Sequence, residues 1–572
     1  MNIFMRNKEM YLKGLLMGVL FVAAVNSPQI IAAKGVAPAQ AAVATAHPLA
    51  TQAAMDVLAQ GGNAFDAAVA ATAALAVVEP YGSGLGGGGF YLLRSGKDGS
   101  SIMLDARETA PSEAHSQMYL DVYGDVLKRK SKDGALAAGI PGIPAALDYL
   151  ANKRGNLELN KTLAPAIALA EQGFEVGDKI IKMLGFRLPA IKASAAAADI
   201  FLNKGELPKA GEILVQADLA KTLKAIAKQG AAGFYQGAIG DALVASVQSE
   251  GGIWSAEDLK AYRVVERQPV KGEYQGMRIV SAAPPSSGGV ALLQILNTLS
   301  EFELAKLKPE QRMHLLVESM RRAYRDRAEH LGDPDFVEVP VKTLLNPVYA
   351  AGLAASIRKD RATLSASLPG VESPAKGEDT THFSIIDKHG NMVAATLSIN
   401  YPFGSGSVAA GTGVLLNNEM DDFAAKPNSP NGYGLVGGEA NKIEPGKRML
   451  SSMSPTIIEY GDRVAVLGTP GGSRIITMVL LALLDFRSGG DAASMVSLPR
   501  FHHQFLPDFI QFEKGALNDN MQLELQLLGH EVKEMSRQYG NMQAVVWDKA
   551  TGKVDAASDP RGVGRADLGS YQ

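Results

Sequence analysis

Apolar and polar positions recur along this chain with two periods, and the switches between them mark its elements. Between residues 48 and 78, alanine and larger apolar side chains follow helical spacing. That spacing predicts a helix over 48–60, stopped by Gly61-Gly62, and a second over 63–78, with Asn63 able to cap it and Asp66 in its first turn. Short apolar runs then predict strands at 90–94 and 101–105. From about 135 to 375 the pattern is largely helical, as over 217–228, ended by Gly230, and 312–330, ended by Gly332. Within it, 274–281 reads as one strand, followed by the loop 283–289 and a further helix, and the charges of 320–327 read as a solvated helix face, with a binding patch as the lesser reading. A stretch rich in Ser, Pro, Gly and charge at 364–379 reads as exposed loop and runs directly into a strand at 381–386. A turn at 387–391 joins that strand to another at 392–399. Further on, 456–459 reads as a strand, and 464–474 as strand, glycine turn and helix start.

Composition adds a compartment. In residues 1–33, Arg6, Lys8 and Lys13 precede an apolar run from Leu15 to Val25, with small Ala32 and Ala33 after it. The run is about half the ~20 residues of a membrane span and suits a secretory leader. No later segment reads as a transmembrane helix. A hydrophobic content of 47% with 20% charged residues suffices for a large core. The net charge of −3 gives no nucleic-acid footprint. The chain has no cysteine, which excludes disulfides, thiol catalysis and thiolate metal sites. The mature protein is expected to be soluble and exported, in a bacterial periplasm or outside the cell.

Candidate chemistry centres on Asp379-Thr380-Thr381-His382, where the loop meets the strand. A cut before Thr380 would give a threonine whose hydroxyl is the nucleophile and whose own α-amino group, with a pKa of about 7.7–8.0, is the base. Zinc-helix, P-loop and G-x-S-x-G motifs do not occur. His502-His503 would point to opposite faces of a strand and make a poor metal site. Gly82, Gly84 and Gly87 spell G-x-G-x-x-G, but a helix precedes them and a strand follows, the wrong order for a dinucleotide site. Close backbone packing beside a pocket suits that glycine run better. Glu419, Asp421 and Asp422 cluster without basic neighbours, as a solvated turn or as a grip for an ammonium. The stretch 427–438 has the composition of a mobile loop with Tyr433 as its one large anchor, and backbone N–H groups of the turn at 469–473 suit an oxyanion.

Taken in order, Gly61-Gly-Asn-Ala-Phe-Asp-Ala-Ala68, Gly84–Phe90, Asp105-Ala-Arg-Glu108, Asp379–His382, Leu416–Phe423, Ser451–Thr456, Pro470–Arg474 and Pro499–His503 make the chain similar to the gamma-glutamyltranspeptidases of the N-terminal nucleophile hydrolase superfamily, from about residue 35 onwards. The resemblance implies an α+β fold, a four-layer αββα sandwich, made as a precursor. Leader 1–33 would be followed by a large subunit, 34–379, and a small subunit, 380–572, held together non-covalently. Thr380 would cut its own chain, then form a γ-glutamyl-enzyme from glutathione-like substrates, resolved by water, amino acids or dipeptides. The Gly471 and Gly472 amides would form the oxyanion hole, and Ser398 would support Thr380. Arg107, Ser451 and Ser452 would hold the substrate α-carboxylate, and Asn400, Glu419 and Asp422 its α-ammonium, with Tyr433 on a lid. No cofactor or metal is implied. Ser398 stands where threonine is usual and Glu419 where some members have glutamine; relatives lacking the lid loop tend towards acylase activity. The competing readings are a glutaryl-cephalosporin acylase of the same superfamily and an exported binding homologue without activity.

Overall fold

The computed structural model describes residues 35–127, 129–368, 380–426, 431, 435 and 437–570. The leader expected over 1–33, Asp379 and most of the expected lid, Tyr433 included, lie outside them. Two antiparallel sheets occupy the centre. One runs, edge to edge, Arg565–Gly569, Ala41–Thr45, Thr381–Ile386, Met392–Ser398, Gly88–Arg94, Ser101–Ala106 and Val265–Arg267. The other runs Val554–Ser558, Gln543–Asp548, Arg463–Gly468, Thr456–Tyr460, Met277–Ser281 and Val270–Tyr274.

Strand alternation sorts their side chains into layers. Val43, Phe383, Ile385, Val393, Ala395 and Leu397 pack against helices on one side of the first sheet. Ala42, Ala44, Ile386, Met392 and Ala394 meet Ile457, Val464, Val466 and Val545 of the second sheet. The other face of that second sheet, with Ile458, Ala465 and Leu467, packs on Gly288–Leu299 and Ile475–Arg487, and Pro309–His330 packs on the first of these helices. The order is therefore helix, sheet, sheet, helix, as the resemblance implies. The central strands, such as Thr381–Ile386 and Met392–Ser398, are buried on both faces and read as largely apolar runs, whereas edge strands such as Val270–Tyr274 stay half-polar.

The Ala-rich pair forms as read, Pro48–Ala59 and Ala64–Val78. The second helix is buried along its whole length, because small side chains let it lie close to its neighbours. Its start is a capping box: the Asn63 side chain accepts from Phe65 and Asp66 N–H, and Asp66 accepts from Asn63 N–H at 2.9 Å.

Two expectations are corrected. The single strand at 274–281 is the end of a hairpin: Val270–Tyr274 turns at Gln275-Gly276, both at positive φ, into Met277–Ser281. Two residues of left-handed backbone are what a two-residue hairpin turn requires. The charges of 320–327 are not a solvated face, since Arg321, Arg322, Asp326 and Arg327 are all buried on Pro309–His330. Glu318 accepts from Arg321 at 3.2 Å and Arg322 at 2.7 Å, Arg321 also pairs with Asp508, and Asp326 accepts from Tyr349 at 2.8 Å. No described helix is long and apolar enough to cross a membrane.

Candidate active site

Thr381 pairs with Leu397 across the ladder, which sets Thr380 opposite Ser398. The two threonines part company there, because successive strand residues face opposite ways. Thr381 donates its hydroxyl to Glu79, at the end of Ala64–Val78 on the helix side. Thr380 instead lines a cleft with Ser398, Asn400, Arg107, Glu419, Asp422, Ser451, Ser452 and Gly472. All of the candidates assigned from sequence that lie among the described residues converge there, save Gly471, which faces a neighbouring cavity that also touches Thr380. Of the expected lid, Leu435 lines the cleft and Asn431 donates to Asp422 at 3.1 Å.

Each side chain is set by its element. A side chain at Gly87 would collide with the Ser398 carbonyl, so the glycine run packs backbone to backbone against this strand end, as expected. Two residues past the end of Met392–Ser398, Asn400 is held at φ +72° and donates its N–H to Ser398 Oγ at 2.7 Å and its side-chain amide to Asn418 O at 2.8 Å. Asn417 accepts from Gly139 and Glu419 N–H and donates to Gly86 and Gly139 carbonyls, fixing the start of the short helix that carries Glu419 and Asp422. The acidic cluster is therefore a built wall, not a solvated turn. Gly471 and Gly472, at φ +139° and +56°, lead into Ile475–Arg487, and a Cβ on Gly471 would press on Met478. Neither glycine N–H donates to a described residue.

Arg107 directly follows the strand Ser101–Ala106 and is buried among three carboxyls. It donates to Glu419 at 2.7 Å, to Asp422, and to Met449 O at 3.2 Å, with Glu108 at 3.6 Å. Burial works against its charge, but Glu419, Asp422 and Glu108 outweigh it and hold the guanidinium protonated. Burial also pushes the Glu108 and Glu419 carboxyls up. A cationic ligand beside these carboxyls would favour their ionised forms, and Glu419 Oε1 has no hydrogen-bond partner among the described residues. With these groups closed on one another, the cleft has about 20 Å³ of room, so a charged ligand must exchange for them.

Ser451 is tied to the loop at 283–289: its N–H donates to Pro285 O, and its carbonyl accepts from Ser287 N–H and Oγ. Beside it, Arg327 donates to Ser287 Oγ at 2.9 Å and Ser452 Oγ at 3.2 Å. Burial lowers its pKa to about 10.

A family model described as gamma-glutamyltranspeptidase matches residues 50–568. The chain belongs to the gamma-glutamyltranspeptidase family. It is 45% identical to the glutathione hydrolase proenzyme of Escherichia coli K12 over 92% of this chain and 91% of that one. Among solved structures it is similar to a cephalosporin acylase from Bacillus halodurans, with a TM-score of 0.81, 26% identity and 99% of both chains covered. It also matches Helicobacter pylori gamma-glutamyltranspeptidase, at 0.55 and 40% identity, over 56% of this chain and 93% of that one.

In this member of the gamma-glutamyltranspeptidase family, three groups at the site went unread in the sequence. Glu108 was legible only as part of a motif, and Arg327 was hidden in the helix taken for a solvated face. Glu79 follows an apolar helix with no charged neighbour, and a charge placed there was the available signal. Its burial raises its pKa to about 7 against the pull of Thr381 and Lys179. Away from the cleft, His314, Glu318 and His530 bring possible metal ligands within 4.8 Å of one another. His314 is bonded to His530 at 2.8 Å and to Arg358 O at 2.7 Å, and Glu318 to two arginines, which makes the group a core hydrogen-bond network.

Proposed function

We propose that this chain is a glutathione hydrolase and γ-glutamyltransferase that matures by cutting itself before Thr380. The observation that carries the reading is the cleft in which Thr380 stands beside an arginine ion-paired to two carboxylates. A γ-glutamyl group ends in a zwitterion. Its α-carboxylate takes the Arg107 fork with help from the Ser451 and Ser452 hydroxyls, and its α-ammonium takes Glu419, Asp422 and the Asn400 side chain. The internal ion pairs are thus exchanged for external ones at nearly balanced charge. Thr380 Oγ attacks the γ-carbonyl as the threonine's α-amino group accepts its proton. The Gly471 and Gly472 amides, at a helix start and without described acceptors, suit the developing oxyanion. Ser398, opposite Thr380, supports the nucleophile. Water, an amino acid or a dipeptide then resolves the ester, under a lid in which Tyr433 takes part. Residues 34–379 and 380–572 form the two subunits, and the leader-like 1–33 supports export.

Acylase names among the relatives raise a second substrate class. A glutaryl group lacks the α-ammonium, and a wall of carboxylates facing Arg107 favours the group that carries one.

The test is the purified protein on a denaturing gel and with γ-glutamyl-p-nitroanilide. Two chains are expected, the smaller beginning at Thr380 with 572 − 379 = 193 residues. Thr380→Ala should stay uncut and inactive. Thr381→Ala, which alters the opposite strand face, should still cut at the same bond. A small chain beginning at Thr381, or an active Thr380→Ala, would overturn the reading.

A further inference from the structure

Two guanidinium groups line the cleft that holds Thr380. Arg107 is one; the other is Arg327, in the last turn of Pro309–His330 and only 4% exposed. They differ in what surrounds them. Arg107 is ion-paired to Glu419 and Asp422, whereas the Arg327 side chain bonds only serine hydroxyls among the described residues. A helix end favours a cation but does not call for one buried at a cleft.

Those bonds fix the direction of both hydroxyls. A guanidinium has donors and no acceptor, so each oxygen it meets must accept. Its Nε–H donates to Ser287 Oγ at 2.9 Å and an Nη2 N–H to Ser452 Oγ at 3.2 Å. Ser287 directs its own hydroxyl hydrogen to Ser451 O at 2.7 Å. Ser452 is buried too, yet its hydroxyl hydrogen has no acceptor among the described residues. Arg327 therefore leaves Ser452 Oγ–H as a donor turned to the cleft, and through Ser287 it holds the backbone of the neighbouring Ser451. It also brings a buried positive charge without a carboxylate of its own, since Asp422, whose charge reaches it, is already bound to Arg107.

We infer that Arg327 is a positioning residue that sets donor specificity: acting through Ser452, it selects acyl groups that carry an α-carboxylate. The inference rests on the proposed reading in which Ser452 meets that carboxylate. A carboxylate only accepts, so a hydroxyl already turned outward receives it without rearranging. It also brings the negative charge that Arg327 lacks. A carboxamide in its place has one acceptor oxygen instead of two, sets N–H groups against a wall of donors, and brings no charge.

The probes are γ-glutamyl-p-nitroanilide and the same anilide with its α-carboxylate replaced by a carboxamide. The wild type should show a KM for the acid roughly tenfold or more below that for the amide, the scale of a lost charge-assisted contact. Arg327→Gln and Ser452→Ala should each cut that preference by roughly fivefold, through the KM of the acid and with kcat changing less. The double variant should lose little beyond either single change, because one residue acts through the other. Arg327→Lys, which returns the charge but not the planar fork, should recover part of the preference. Self-cleavage on a denaturing gel shows which variants fold, and Arg327→Lys carries the same comparison if Arg327→Gln stays uncut. A preference undiminished in the Arg327 variants, or losses that add in full, overturns the inference and leaves Arg327 as a tie between its helix and the loops beside it. Absence of nitroaniline release from the wild type overturns the proposed function and this inference with it.

Discussion

Arg107 serves two carboxylates and a backbone carbonyl at once, and only a planar fork with several donors does that. Arg107→Lys keeps the charge but loses at least one charge-assisted bond, worth about 1.5–3 kcal/mol. The KM for γ-glutamyl substrates should rise tenfold or more, read by initial rates, while self-cleavage, which uses no bound substrate, still completes. An unchanged KM would remove Arg107 from carboxylate binding. Most of this cleft was legible in the sequence because short motifs carry it: Arg107 in Asp-Ala-Arg-Glu, Glu419 and Asp422 in one acidic turn, and Gly471-Gly472 before a helix. Arg327 and Glu79 were not, since each stands alone in its local sequence and meets the site only through tertiary packing.

The helix Pro309–His330 shows how a charge pattern misleads at the scale of an element. Its arginines look solvated because their partners, Asp508, Thr363 and Ser365, come from distant loops. Glu318 is the hub. Burial pushes its carboxyl up, but Arg321, Thr363 and Arg322 pull it down further, to about 2. A carboxylate held below its unfolded value of about 4.3 lends stability that is whole above that pH and is lost as pH falls towards 2. Glu318→Gln leaves the buried Arg322 without its ion-pair partner and Arg321 with Asp508 alone, and should cost about 3–5 kcal/mol near neutral pH. Measured by thermal or denaturant unfolding, the gap to wild type should close as the pH approaches 2; a gap that stays constant would rule the charge out. The hairpin at 270–281 was missed for a simpler reason: its turn has no Asn-Gly or Asp-Gly signal, and Gln275 adopts positive φ only because the sheet requires it.

Across the whole molecule, the proposed cut divides the sequence but not the sheets. Before Thr380 come Ala41–Thr45, Gly88–Arg94, Ser101–Ala106, Val265–Arg267, Val270–Tyr274 and Met277–Ser281; the other strands of both sheets come after. Neither half contains a complete sheet. Residues 34–379 and 380–572 expressed singly should therefore be insoluble, with each exposing unpaired strand edges. Co-expressed, they should assemble into an enzyme active on γ-glutamyl-p-nitroanilide; a soluble, folded small chain on its own would contradict this. The αββα layering was legible only through the resemblance, since local pattern predicts strands but not which distant strands pair. Ala41–Thr45 illustrates the point, lying between Thr381–Ile386 and Arg565–Gly569. The first strand to leave the ribosome thus waits for the last before its outer edge is paired. A chain abandoned before residue 565 keeps an open edge on the strand next to the one that follows the proposed nucleophile. The sheet that carries the proposed nucleophile is thus completed only when residues 565–569 have been made.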